Sequence, residues 1–241
     1  KASKKMSRDA KEGVVAVSGN ETKTSVIEVN CETDFVAKNN EFIKFVEEIS
    51  LLTLTNSGKM EKILKGKMKN NKTVSDNLVS MISKIGEKIT IRRCDYIDSG
   101  KFVNFSYMHS GIKNNLGKIG VLLSLETTLE KEKINDLGKQ LSMHIAASSP
   151  LAIDKDDLDA KILEKEKEII TEELKNTGKD NKILEKIATG KLNKFISDNT
   201  LLNQEWIMEP KKKVKDILKE IGGKDEIKIK SFLRYKVGEG V

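Results

Sequence analysis

The sequence is poor in the residues that build metal centres, disulfides and acid–base sites. Among its 241 residues there are only two cysteines, Cys31 and Cys94, and two histidines, His109 and His144. The cysteines are far apart, form no Cys-x-x-Cys pattern and have no histidine at ligand spacing, which argues against a zinc site or a disulfide framework. Both fall at predicted strand positions, where a free cysteine serves as a small core hydrophobe. We therefore expect no bound metal, and a reducing compartment fits this cysteine usage.

The chain also lacks long hydrophobic runs and nucleotide-binding loops. No apolar stretch approaches the roughly 20 residues that a membrane helix needs, and no signal peptide is visible, so no membrane partner is expected. There is no Gly-x-x-x-x-Gly-Lys-Ser/Thr motif, so we expect no direct nucleotide binding of the P-loop kind. The carboxylates form no pair that stands out from helix-surface charge, and we expect no catalytic residues, no cofactor and no enzyme activity. Because the first residue is Lys1 rather than methionine, upstream residues are expected to be missing.

Charged side chains dominate what is present. They make up 34% of the chain against 37% hydrophobic residues, which favours a globular protein with long solvated helices. The formal net charge of +7 indicates either a nucleic-acid or membrane-surface binder, or a protein that faces an acidic partner. Lysine supplies nearly all of the positive charge, and there are only four arginines. Because proteins that recognise bases and phosphates rely on arginine forks, we expect no nucleic-acid partner.

Hydrophobic periodicity predicts an α+β fold. Residues 13–30 are expected to form a hairpin around Gly19 and Asn20, followed by a helix from residue 40 to about residue 52. A similar order of strands, acidic turn and helix recurs over residues 101–148. We therefore expect two similar subdomains, each with a small antiparallel sheet covered by helices.

Two long charged helices are predicted after this region. Residues 154–175 and 182–197 each carry a narrow apolar stripe, and Asn176-Thr177-Gly178 turns the chain between them. Asp156 and Asp157 are placed in the first turn of the first helix, where acidic side chains are favourable. The pair is expected to form an antiparallel helical hairpin that protrudes from the body as an arm.

The predicted elements divide the chain into five segments. These are a linker (1–12), an N-terminal core subdomain (13–97), a C-terminal core subdomain (98–153), the helical-hairpin arm (154–205) and a return segment that completes the C-terminal core subdomain (206–241). In the return segment, Pro210 is expected to open a short helix that ends near Ile221. The last strand follows over residues 227–236.

The most unusual stretch lies where the strand over residues 25–30 ends. Thr33 and Asp34 are turn and capping residues, so the backbone is expected at the surface, yet Phe35 and Val36 follow at once. A hydrophobe beside a carboxylate on a turn is typical of a surface offered to a partner. The alternatives are a helix-entry staple, in which Phe35 packs on Phe42 or a neighbour, and a simple capping role for Asp34.

This stretch and four others resemble the signatures of one family, elongation factor Ts, whose members are nucleotide exchange factors for the GTPase elongation factor Tu. The first is Val29-Asn30-Cys31-Glu32-Thr33-Asp34-Phe35-Val36-Ala37-Lys38-Asn39, and the second is Met143-His144-Ile145-Ala146-Ala147-Ser148-Ser149-Pro150. The others are Lys84-Ile85-Gly86-Glu87 with Ile91-Arg92-Arg93, Lys118-Ile119-Gly120-Val121, and the closing run from Phe232 to Gly240. They occur in the family's order across nearly the whole chain.

The resemblance implies elongation factor Tu as the partner and exchange without a catalytic residue. It implies that Asp34 and Phe35, flanked by Thr33 and Val36, enter near the Mg²⁺ site of the GTPase. It also implies that the helical arm is a protruding coiled coil that extends the contact.

Three further residues are assigned differently by spacing and by resemblance. His144 shares a helix face with Leu137 and Leu141, which favours a core or boundary histidine. Ile119 and Gly120, just inside a strand, would by themselves indicate core packing and close backbone approach. The resemblance places all three at the contact with elongation factor Tu, on its phosphate-loop side.

The given sequence departs from the family in three respects. It begins without the small N-terminal helical module of typical members, which is either naturally absent or lies upstream of Lys1, and it stops at Val241 without the further C-terminal helical module that bacterial members often carry. The surplus of lysine and asparagine is also atypical of free-living bacteria. The protein is expected to be cytoplasmic if bacterial, or to lie in a mitochondrion or an apicoplast-like plastid if eukaryotic, with the composition leaning towards an organelle or an AT-rich organism. A homodimer and a 2:2 complex are both compatible with the sequence.

The alternative function is a basic RNA- or ribosome-associated protein, suggested by the net charge and by the lysine-rich residues 59–72.

Overall fold

The computed structural model describes residues 8–175 and 180–241. The chain divides into two compact units: the first contains the residues up to Ala146 together with Ile229–Val241, and the second is Ala147–Lys228. Helices and strands occupy separate segments, and the strand pairs are antiparallel wherever their register is defined. The predicted α+β class with antiparallel pairing is confirmed.

The element bounds are as follows. The strands are β1 (Glu12–Gly19), β2 (Lys23–Cys31), β3 (Thr90–Asp98), β4 (Val103–Lys113), β5 (Leu116–Glu126), β6 (Glu205–Trp206), β7 (Glu209–Lys213) and β8 (Lys228–Lys236). The helices are α1 (Asp34–Ala37), α2 (Asn40–Thr55), α3 (Met60–Lys65), α4 (Val74–Ile85), α5 (Lys131–Ser148), α6 (Ala160–Leu174), α7 (Asn181–Asn199) and α8 (Val214–Gly222), with 3-10 turns at Lys155–Asp157 and Leu201–Asn203.

The first unit is built on one six-stranded sheet. Its order is β3-β2-β1-β5-β4, and β8 also pairs with β5. Two separate small sheets were the expectation from sequence, and that expectation is wrong. The two predicted halves are joined where β1 meets the beginning of β5, through the pairs Val15–Gly117 and Ala16–Leu116. Pairing between strands so distant in the chain leaves no mark on the local residue pattern from which strands are predicted.

Helix α2 covers the β1–β2 hairpin with the apolar stripe that its sequence predicts. Asn39 caps the helix, since its Oδ1 accepts the amide protons of Glu41 and Phe42 at 2.8 and 3.3 Å. The stripe lies in the core beneath both strands of the hairpin and consists of Phe42, Phe45, Val46 and Ile49. Burial of such side chains contributes about 1.5–3 kcal/mol each. This packing anchors the chain on either side of the turn that follows β2.

A buried carboxylate in β2 ties the sheet to the end of the chain. Glu28 is fully buried, and its Oε1 accepts hydrogen bonds from Asn30 Nδ2 at 2.9 Å and from the amide of Gly238 at 2.8 Å. Arg92 donates to the same oxygen at 3.1 Å, and Arg93 Nε donates to Oε2 at 2.6 Å. Burial alone would raise the pKa of Glu28, but these hydrogen bonds and charges outweigh it and lower the pKa. The side chain is therefore an ionised, fully paired carboxylate inside the sheet.

Helix α5 lies close against the sheet because of a glycine. A Cβ added at Gly138 would be 2.4 Å from atoms of the Phe105 ring, so only glycine allows this approach. The face predicted to be buried is buried, with Leu137, Leu141 and His144 all inside. The helix ends before Pro150, as its sequence predicts, because the residue before a proline is disfavoured in the helical conformation.

The second unit begins with a break that the sequence pattern conceals. A single helix over 154–175 was expected, and that expectation is wrong. Asp154 caps the 3-10 turn Lys155–Asp157, and the α-helix begins only at Ala160, where Asp159 accepts the amide proton of Lys161 at 2.9 Å. Aspartate side chains bind nearby backbone amides and so favour turns and caps over helix interiors. Asp154 therefore begins a short 3-10 turn and Asp159 begins a separate α-helix, instead of both lying inside one helix.

Helices α6 and α7 pack on each other. Leu163 and Leu192 contact a small buried cluster at the base of the pair, and Glu173 forms an ion pair with Lys191. The predicted turn at residues 176–178 lies outside the described residues. The protruding coiled coil therefore stays a prediction.

A β-hairpin replaces the start of the helix predicted at Pro210. Strands β6 and β7 pair through Glu205–Lys213 and Trp206–Glu209, and Pro210 lies in β7. Helix α8 starts only at Val214. Proline is tolerated here because the hairpin has two strands, so both are edge strands on which a missing amide costs little.

Candidate functional site

The turn after β2 presents one large hydrophobic side chain to solvent. Phe35 is 83% exposed, whereas its neighbours Val36 and Ala37 are buried. The three belong to α1, a helix of four residues whose N-cap is Thr33, which accepts the amide proton of Val36 at 3.4 Å. The staple alternative, in which Phe35 packs on Phe42 or a neighbour, is wrong because the Phe35 ring lies outside the core.

Asp34 stands beside Phe35 as an exposed ionised carboxylate. Its Oδ2 accepts a hydrogen bond from Lys38 Nζ at 3.0 Å, one helical turn later. This hydrogen bond and the charge of Lys38 lower the pKa of Asp34, and the more distant charge of Lys118 acts in the same direction. The capping role belongs to Thr33 and not to Asp34. An exposed pair of this kind is weak, so the carboxylate of Asp34 is available for another cation or donor.

The beginning of β5 lies close to this turn. Lys118, whose charge reaches Asp34, also donates to Glu12 Oε2 at 2.8 Å and to the carbonyl of Gly13 at 3.1 Å. The next residue, Ile119, is half-buried.

Gly120 is buried and closely packed. A Cβ added there would lie 2.7 Å from Cγ1 of Val15. The close backbone approach expected at Gly120 from its position in a strand is therefore present.

His144 belongs to α5 in the first unit. It is fully buried in α5 and has no exposed surface. The structure thus brings Thr33–Val36 near the start of β5, but it does not bring His144 to the surface beside Phe35. Its burial agrees with the core position that helical spacing indicates.

A residue without a role in the sequence analysis holds the turn in place. Glu87 follows Gly86, which ends α4 in the left-handed conformation with φ 86°. Its Oε1 accepts the hydroxyl proton of Thr33 at 2.7 Å, and its Oε2 accepts the amide protons of Glu32 and Thr33, both at 3.1 Å. The only signal in the sequence was that Glu87 belongs to one of the matched family motifs.

Cys31 supports the same turn from the core side. Its thiol donates to the carbonyl of Thr33 at 3.2 Å. Burial, followed by the nearby charge of Glu87, raises the pKa of Cys31 to about 12. The thiol is therefore protonated and serves as a donor, which agrees with the small structural cysteine expected from its place in a strand.

Within residues 8–175 and 180–241, no three side chains of the metal-binding types His, Cys, Asp and Glu gather into a possible metal site. Within the same residues, no helix combines the length and the apolar character that crossing a membrane requires.

Comparison with known proteins identifies relatives whose similarity extends along the whole of this chain. Residues 32–239 match the family described as Elongation factor TS. Elongation factor Ts of Methylorubrum populi is 40% identical over 244 residues, covering 100% of this chain and 79% of the relative. The corresponding proteins of Gluconobacter oxydans and Rickettsia felis are 35% and 38% identical, each covering 100% of this chain and 78% of the relative.

Proposed function

The chain belongs to the elongation factor Ts family of protein-synthesis elongation factors, and from this membership we propose that it is a guanine nucleotide exchange factor for elongation factor Tu. One observation supports a particular binding site. Phe35 is 83% exposed on a turn held by hydrogen bonds, and it lies next to the ionised carboxylate of Asp34. An exposed aromatic side chain beside a charge is the chemistry of an interface anchor.

The proposed mechanism requires no catalytic residue. A GTPase holds its nucleotide through a phosphate loop and a bound Mg²⁺ ion. An exchange factor accelerates release by binding more tightly to the conformation in which these contacts are broken, and its effect is limited by that difference in affinity. The acceleration of nucleotide release therefore depends on the shape and charge of the interface.

Within this mechanism, Phe35 is the apolar wedge and Asp34 supplies the negative charge. Phe35 enters beside the elements of the partner that position its metal. When the partner binds, the Asp34 carboxylate leaves Lys38 and accepts a hydrogen bond from a donor of the partner. This new contact lies near the point where the coordination of the metal must loosen. Thr33 caps the helix that carries both side chains, and Val36 anchors that helix in the core.

The test is the dissociation rate of a fluorescent GDP analogue from elongation factor Tu, measured with and without this protein. Acceleration that increases with the concentration of the protein and saturates supports the proposal. The absence of acceleration with the elongation factor Tu of the same organism would contradict it.

Ile119, Gly120 and His144 are proposed to act on the phosphate-loop side of the partner. Because His144 and Gly120 are both buried, this role requires that α5 or its neighbours open when the partner binds. Replacement of His144 by alanine is expected to lower the melting temperature, because it leaves a cavity in the core. It is also expected to reduce exchange less than the loss of Phe35 does. A loss of exchange that merely follows the loss of stability, at several temperatures, would assign His144 to the core alone.

The arm and the subdomain bounds are part of the same proposal. We propose that residues 154–205 form a protruding coiled coil around α6 and α7 that extends the contact. The core subdomains are proposed as 13–97 and 98–153, with 206–241 completing the second. Slower amide hydrogen exchange in α6 and α7 on addition of elongation factor Tu would support the contact, and unchanged exchange would contradict it.

A second candidate function is favoured by the distribution of charge. Residues 59–72 contain six lysines and one glutamate, a net charge of +5 out of +7 for the whole chain. All six lysines are exposed, and none forms an ion pair with another described residue. If this segment binds RNA, affinity for a labelled single-stranded RNA should fall steeply with salt, and replacing three of the lysines with glutamine should reduce the slope by about 2. Absence of binding at low salt would remove this candidate.

Compartment and assembly are proposed from the relatives. Those compared above are bacterial, and a bacterial member of the family would act in the cytoplasm, with an organelle as the alternative. Sequencing the genomic neighbourhood of the gene distinguishes the two. A homodimer and a 2:2 complex with the partner are distinguished by light scattering of the protein with and without elongation factor Tu.

A further inference from the structure

Helix α1 is too short to hold its own position. It contains four residues, fewer than the helix length at which propagation offsets the cost of nucleation. Its exposed side chain, Phe35, gains nothing from the core, so the direction in which Phe35 points depends on the chain on either side of it. After α1, the buried Val36 and Ala37 provide that support. Before α1, the support comes from one hydrogen bond of the Cys31 thiol and from three hydrogen bonds of Glu87.

Glu87 satisfies three donors of the turn with one carboxylate. The Thr33 hydroxyl and the amides of Glu32 and Thr33 all donate to it, at 2.7, 3.1 and 3.1 Å. Because the Thr33 hydroxyl donates its proton to Glu87, its lone pairs face the amide of Val36 and cap α1. The carboxylate therefore sets both the backbone of the turn and the orientation of the capping hydroxyl.

The turn at Glu32 and Thr33 and the segment after α4, at Glu87 and Lys88, brace each other. Glu32 returns the interaction, since its Oε1 accepts the amide proton of Lys88 at 2.6 Å, while Arg8 lies 3.4 Å from its other oxygen. A residue on each of the two segments thus binds the backbone of the other. Hydrogen bonds that involve ionised groups are among the strongest in proteins, so this arrangement limits the motion of both segments.

We propose that Glu87 is a positioning residue for nucleotide exchange: it fixes the Thr33 turn so that Phe35 is presented to the partner in its binding orientation. The proposal rests on the proposed exchange function. Fixing the orientation before the encounter removes the entropic cost of ordering the turn when the partner binds. Glu87 itself need not touch the partner.

Replacement of Glu87 by glutamine is the most informative change. Glutamine keeps the shape, but its amide nitrogen is a donor and it has one acceptor oxygen for the three protons. At least one donor then loses its partner, and the turn loosens. We expect Glu87→Gln to slow GDP-analogue release from elongation factor Tu about tenfold, the usual scale for losing a hydrogen bond to a charged group.

The decisive measurement is a double-mutant cycle with Phe35→Ala. If Glu87 acts through Phe35, Glu87→Gln should slow exchange about tenfold in the native background and less than about twofold in the Phe35→Ala background. Losses that multiply in the double variant, or a Glu87→Gln variant with native exchange, would overturn the proposal. The control is Glu130→Gln, an exposed glutamate just before α5 whose replacement changes the net charge by the same amount and should leave exchange unaltered.

A second measurement does not involve the partner. Amide hydrogen exchange at Thr33 and Val36 is expected to accelerate at least about tenfold in Glu87→Gln while amides in β1 and β2 keep their rates. Unchanged exchange at these two amides would show that Glu87 does not hold the turn. If native protein fails to accelerate GDP release, the proposed function fails, and hydrogen exchange still decides whether Glu87 holds the turn.

Discussion

Replacement of Phe35 by alanine is expected to slow GDP release from elongation factor Tu more than about tenfold while the melting temperature stays unchanged. The ring is 83% exposed, so its removal takes no packing from the core. At an interface, in contrast, a buried aromatic anchor contributes about 2 kcal/mol or more, which corresponds to more than a tenfold change in coupling. The measurement is the dissociation rate of the fluorescent GDP analogue, with thermal unfolding in parallel.

The matched control for Phe35 is Leu51→Ala. Leu51 is also a large hydrophobic residue on the surface of the first unit, 57% exposed on α2, and it has no place in the proposed contact. We expect Leu51→Ala to preserve both exchange and stability. Near-native stimulation by Phe35→Ala, or an equal loss in both variants, would contradict the assignment of Phe35 as the wedge.

Among the variants proposed here, replacement of Glu28 by glutamine is expected to produce the largest loss of folding stability. The change leaves Arg92 and Arg93 without their common carboxylate, and it weakens the bond to the amide of Gly238. Removing one partner of a buried ion pair costs about 3 kcal/mol or more. For a chain of this size that corresponds to a decrease of about 6–12 °C in melting temperature. Glu41→Gln, which removes an exposed pair with Lys84, should change it little.

The contribution of Glu28 should also depend on pH. Its pKa is lower in the folded state than the ordinary glutamate value of 4.5, so its charge stabilises the fold fully above that value. As the pH falls below 4.5 and through the folded pKa, the carboxylate binds a proton and the contribution is lost. The difference in unfolding free energy between native protein and Glu28→Gln is therefore expected to be constant at neutral pH and to shrink in acid. A difference that does not shrink would show that the loss comes from shape and not from charge.

The turn that carries Phe35 shows how much can be predicted from neighbouring residues alone. Thr33 and Asp34 predict a turn, and a turn lies at the surface, so the exposure of Phe35 follows from its neighbours in the chain. The buried state of His144 follows in the same way from its spacing to Leu137 and Leu141. The partner came from the motifs, which resemble a family, and not from any physical property of the residues.

Three features were predictable because their causes lie within a few residues. An apolar stripe predicts helix α2, a turn pair predicts the β1–β2 hairpin, and a proline predicts the end of α5 at Ser148. The burial of Glu28, the single sheet and the role of Glu87 were not. Each depends on contacts between distant segments, such as Glu28 with Arg93 and Glu87 with Thr33, and a charged residue carries the same local pattern whether it is solvated or paired. Short-range sequence thus specified α2, the β1–β2 hairpin, the end of α5 and the exposed aromatic residue, whereas long-range pairing specified the single sheet, which charges are buried and what holds Phe35 in place.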